Sequence, residues 1–103
     1  MANPLRGEVA LPVAEGDLVM RLTLGSLAAL EARLGATGLV DVAERFDEGR
    51  YSAEDLIALL AAGLRGAGRE ISEDEVAGLA FRGGALAAAE AAAQLLDKTF
   101  RGT

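Results

Sequence analysis

The chain contains no cysteine and no histidine. Without cysteine there is no disulfide framework, and the sequence suits a reducing compartment. Without both residues, zinc, haem and iron–sulfur centres lose their usual ligands. The Ser-His-Asp and Cys-His forms of nucleophilic catalysis are excluded outright. Tryptophan is absent too, and the aromatic residues are three Phe and one Tyr, so the core has few large anchors. Positive charge is scarce: ten Lys and Arg stand against sixteen Asp and Glu, a net charge of −6, and the arginines are scattered. Such a surface repels phosphate backbones, so no nucleic-acid partner is expected. Long apolar runs are missing as well. The strongest, Leu56 to Leu64, is too short to span a bilayer. The opening MANPLRGEVAL lacks the apolar segment of a secretory leader. The expectation is a cytoplasmic protein with no membrane partner.

What is present favours helix. Hydrophobic residues make up 51% of 103 residues, mostly alanine and leucine, and β-branched residues are few. That length suits one domain, residues 1–103. Residues 7–24 differ from the rest. GEVALPV and DLVMRLTL hold most of the valines, and AEGD between them supplies a turn with Gly16 free to take positive φ. Leu18, Met20, Leu22 and Leu24 alternate with Asp17, Val19, Arg21 and Thr23, the period of a strand with one buried face. A β-hairpin over 7–24 is predicted, with Pro12 at an edge or a strand end because it has no N–H to donate. Two strands are marginal alone and must pack on the helices C-terminal to them. Residues 1–6 are expected to be flexible.

Residues 25–101 read as helical. Leu27, Leu30 and Leu34 form one stripe, which Gly35 ends. Leu39, Val42, Ala43 and Phe46 form a second, ending near Gly49. Ser52 caps a third helix, with Asp55 as an imperfect capping box and Leu56, Ile57, Leu60 and Leu64 as its face. Ser72 and Glu75 open a fourth, with Val76, Leu79 and Ala80 inward, broken at Gly83 and Gly84. A last helix covers about Ala85 to Phe100, with Lys98 and Arg101 suiting its negative end. The fold class is α+β, helix-dominant: an N-terminal β-hairpin packed on a bundle of about five short helices.

Three stretches invite a chemical reading. In GLRGAGREISEDEV, Gly63, Gly66 and Gly68 resemble a phosphate loop, but the spacing is G-x-x-G-x-G and no Lys follows. The simpler reading is a helix end and a turn. In FDEGRYSAEDL, placing Gly49 at position six of a calcium loop puts Phe46 at position three and Asp55 at position twelve. Phe46 cannot ligate, and a bidentate Glu is normally needed last. The acids Glu54, Asp55, Glu73, Asp74 and Glu75 lie in first helical turns, where the helix dipole favours them without catalysis. No catalytic, cofactor or metal residue is therefore assigned. The last helix offers the remaining candidate. Leu86, Ala89, Ala93, Leu96 and Phe100 follow three–four spacing with little bulk between them. They form either one side of an ordinary core helix or a smooth face for a partner helix or a second subunit.

Taken in order, RGEVAL at the start of the hairpin, LGSLAALEARLG, GRYSAEDLIALLAAGLRGAG and the alanine-rich final helix resemble a small gene-transfer-agent family. Its members sit among phage-like tail genes. The likeness covers roughly residues 4 to 100. That family is classed with phage tail assembly chaperones and has also been labelled a tail tube protein. The resemblance implies a non-enzymatic role with no cofactor: binding tape-measure or tube proteins during tail assembly. The alternatives it leaves are a structural tube component and a small helical interaction module of other role. A homo-oligomer is compatible with each.

Overall fold

A computed structural model of the chain describes residues 2–101. The segment expected to be flexible holds one 3-10 turn, Pro4–Arg6, capped by the Asn3 side chain, which accepts from the Leu5 amide. The Asn3 amide in turn donates to Glu8 at 2.8 Å, closing a small polar loop ahead of the first strand. Met1 lies outside the described residues.

Strands β1 (Val9–Val13) and β2 (Gly16–Met20) form an antiparallel hairpin with Val13 opposite Gly16 and Val9 opposite Met20. Two-residue hairpin loops favour positive φ at their central residues. Ala14 and Glu15 do not adopt it, and Gly16 carries it instead at +134°. Pro12 sits inside β1, and its carbonyl accepts from the Arg82 amide on the side away from β2. Its missing N–H therefore costs the ladder nothing.

The hairpin is shorter than the alternating pattern predicts. Alternation holds through Met20 and Leu22, both buried. Thr23 then forms a reciprocal capping box with Ser26 and starts helix α1 (Leu24–Leu34), which leaves Leu24 79% exposed. Helix α2 (Leu39–Asp47) comes next, and then α3 (Ala53–Gly66). The Ser52–Asp55 pair closes a complete box, with both hydrogen bonds at 3.1 Å. α3 is the centre of the molecule: every residue from Ala58 to Leu64 is buried. A helix apolar all round is an interior helix, packed by neighbours on all sides. α1 lies along it on one side, and β2 and α5 (Gly84–Arg101) on others.

The glycine-rich joint divides its labour. Gly63 lies within α3 rather than at its end, and a Cβ there would meet Leu95 at 2.7 Å and Met20 at 3.1 Å. Gly66 lets the backbone of α3 pass the Arg21 carbonyl, which a Cβ would reach at 1.9 Å. Only Gly68 makes the turn, with φ of +97°. The helix ends at Gly35, Gly49 and Gly68 share one pattern. The glycine amide bonds the carbonyl three residues back, and the next amide bonds the one five back.

Helix α4 (Glu73–Ala77) is a short stub, opened by the Ser72–Glu75 capping box. It stops at Gly78, earlier than predicted, because residues 80–82 run beside β1 instead. Ala14 donates to the Ala80 carbonyl, Val13 bridges Phe81, and Arg82 pairs with Asp17. Ala80, expected inward, is exposed for that reason. Arg33 holds α4 against α1 through two 3.0 Å hydrogen bonds to Glu73.

Candidate functional site

α5 is the longest helix. Gly83 and Gly84, both at positive φ, turn the chain into it, and Arg101 pairs with Asp97 at its far end. Its core-facing residues are Ala88, Ala91, Ala92, Leu95 and Leu96. The small alanines let β1 and α3 approach closely, and Leu95 is fully buried. The predicted stripe is displaced from that face by roughly a third of a turn. Leu86 is 73% exposed, Ala89 is partly buried, Ala93 is exposed, Leu96 is 8% exposed and Phe100 is 38% exposed. The five residues thus run along the flank of the core. Only Leu96 belongs to it fully.

Ala93, Leu96 and Phe100 come together in an open groove of about 190 Å³ between α5 and α2. Ala43 and Phe46 supply its other wall, and Phe46 is braced by Tyr51 with ring centroids 4.7 Å apart. Glu44, Asp47, Asp97 and Arg101 stand around this apolar floor. Asp97 is paired with Arg101 at 3.1 Å, whereas Glu44 and Asp47 are in no ion pair among the described residues. Leu86 and Ala89 lie nearer the start of α5 and line neither this groove nor the next.

A second groove, about 290 Å³, lies between the first turns of α3, the α4 stub and the start of α5. Leu56, Ile57, Leu60, Val76, Phe81 and Ala85 are among its walls, and no polar side chain lines it. The α2 wall of the first groove and the α4–Phe81 wall of the second are absent from the stripe read in the sequence. Val40 could have pointed to the former. It is 71% exposed, and Ala43, Glu44 and Asp47 follow it at three, four and seven residues, one helical face.

The α2 wall is held by a polar clasp. The Asp41 carboxylate accepts from the Thr37 amide at 3.0 Å and from Arg45 at 3.1 Å. Arg45 also donates to the Leu34 carbonyl at 3.0 Å, tying α2 to the end of α1. The Thr37 N–H foremost, and then Arg45, hold Asp41 below the usual carboxylate value.

Three of the acids weighed for chemistry have structural partners. Asp55 and Glu75 bond the amides of their capping residues, Glu73 binds Arg33, and Glu48 binds Arg50 at 2.7 Å. Among the described residues, no three carboxylates gather where they could hold a metal ion, and no helix is long and apolar enough to cross a membrane. The arrangement offers apolar contact surface bordered by carboxylates.

A family model described as "Phage tail tube protein, GTA-gp10" matches residues 6–102. No curated protein matches the chain, and no solved structure does.

Proposed function

The chain belongs to the phage tail tube protein family GTA-gp10, and from that membership we propose that it is a non-enzymatic component of the tube of a phage-like tail. The match over residues 6–102 carries this reading, since it takes in every strand and every α-helix of the fold. A tube component works by protein–protein contact and by repeated association of copies. The two apolar grooves beside α5 are surfaces on which such contacts can form.

A second reading is favoured by one observation. The groove between α3, α4 and α5 is lined only by apolar residues. Such a groove suits the apolar face of a foreign helix. That is what a tail assembly chaperone needs in order to cover tape-measure or tube protein before assembly.

Quantitative mass spectrometry of purified particles separates the two. A tube component is present at many copies per particle. A chaperone is absent from finished particles and co-purifies with tape-measure or tube protein from producing cells. Absence from both fractions would refute both readings.

A further inference from the structure

The groove between α2 and α5 differs from its neighbour in carrying charge. Its floor is Ala43, Phe46, Ala93, Leu96 and Phe100; three carboxylates and the Arg101 guanidinium border it, and since Arg101 is taken up by Asp97, the charges left over are those of Glu44 and Asp47. At about 190 Å³ it is smaller than the roughly 300 Å³ at which small-molecule pockets begin. It has room for anchoring side chains rather than for a metabolite. Both walls are helices whose backbone groups are satisfied internally, so an extended strand would find no ladder to join. A helix laid lengthwise, with apolar anchors at three–four spacing, fits that shape.

Charge then selects the occupant. Covering Glu44 and Asp47 with an apolar chain would desolvate two carboxylates without compensation. Lys or Arg can lay an apolar stem along the floor and set its cation at those carboxylates. A second copy placed groove to groove would set Glu44 and Asp47 against their own equivalents, in a chain already at −6. Nor do the chain's own helices present a suitable basic ligand. Arg33, Arg45 and Arg101 are paired internally, and Arg65 donates to the Ile71 carbonyl. Among the cations of the described α-helices, that leaves Lys98 alone.

We propose that the α2–α5 groove is a docking site for a basic amphipathic helix of a different protein chain. It rests on reading the flank of α5 as a contact surface, but not on incorporation into particles, so the two readings fail separately.

The test uses the full chain and two synthetic helical peptides of about 18 residues, five turns long. Both carry Leu at three–four spacing. One has Lys beside the leucines and the other has Glu. In an NMR titration the Lys peptide should shift Ala43, Ala93, Leu96 and Phe100, and bind about tenfold tighter than the Glu peptide. Glu44→Lys with Asp47→Lys should reverse that preference, and Phe100→Ala should weaken both peptides. Glu44 and Asp47 lie at the surface, so the double variant should keep the melting temperature of the parent chain; Phe100 is 38% exposed, so Phe100→Ala should melt lower and is titrated well below its transition. Equal affinity for the two peptides, an unchanged preference in the double variant, or shifts confined to the α3–α4–α5 groove would overturn the proposal.

Discussion

Gly66 sits where α3 passes the corner between β2 and α1, its Cα facing the Arg21 carbonyl. Helix propensity alone makes Gly→Ala stabilising by about 1 kcal/mol. Here the added carbon would stand 1.9 Å from a backbone oxygen that a strand-to-helix turn holds in place. Gly66→Ala is therefore expected to destabilise by about 1–3 kcal/mol, read from chemical denaturation. A stabilised variant would contradict the close approach. Gly63→Ala meets mainly the flexible end of Leu95 and should cost less. The sequence shows three glycines and suggests a turn, but only Gly68 serves as one. Close approach is invisible in one dimension, because the crowding atoms come from residues 21 and 95. Asp41 gives a pH test at the same scale. Its folded value lies below the usual 3.8, so its contribution is complete above that value and lost as pH falls through the lowered one. Asp41→Asn should lower the melting temperature at pH 7, and the gap should close as the wild-type carboxyl protonates below pH 3.8. A gap that stays constant with pH would mean that the carboxylate's charge plays no part in holding α2.

At the scale of elements, the signals that read correctly are local. The Ser72–Glu75 and Ser52–Asp55 boxes and the glycine stops at 35 and 49 need only neighbours in sequence. Ser72→Ala should cost about 1 kcal/mol, and a loss confined to exchange protection in α4 would accord with its short length. Errors appear where tertiary contacts decide. β2 ends early because Thr23 turns the chain into α1. α4 ends early because residues 80–82 pair with β1. The same limit acts on α5. Three–four spacing there identifies a coherent stripe, but the helix has apolar or small residues on several sides. Only packing tells which side is inward. Leu95, outside the predicted stripe, is fully buried, so Leu95→Ala should cost about 2–5 kcal/mol. Leu86, inside it and 73% exposed, should change stability by less than about 0.5 kcal/mol on substitution by Ala. Thermal unfolding of the two variants checks that contrast.

At the scale of the molecule, one interior helix organises the rest. α3 is covered by α1, β2 and α5, while α2 leans on α1 and on the end of α5. The hairpin closes the core at one side, and residues 80–82 cover its outer edge, as edge strands require. The order of these pieces was legible in the chain and is what its resemblance to a tail family rests on. The grooves were not, because each wall comes from a different part of the sequence. Apolar surface remains open beside α5, and the proposed contact role is placed on that surface. Complementation of a producing strain lacking this gene with Ala93→Glu and Phe100→Glu together tests that assignment most directly. Ala93 is exposed and Phe100 is 38% exposed near the end of α5, away from the buried α3, so the variant should still fold cooperatively, with a melting temperature lowered by the packing that Phe100 gives up. The expected result is a normal protein level and a yield of tailed particles reduced about tenfold or more, as a contact repeated in every copy would give. Wild-type particle yield from a folded double variant would contradict a contact role for the α5 flank.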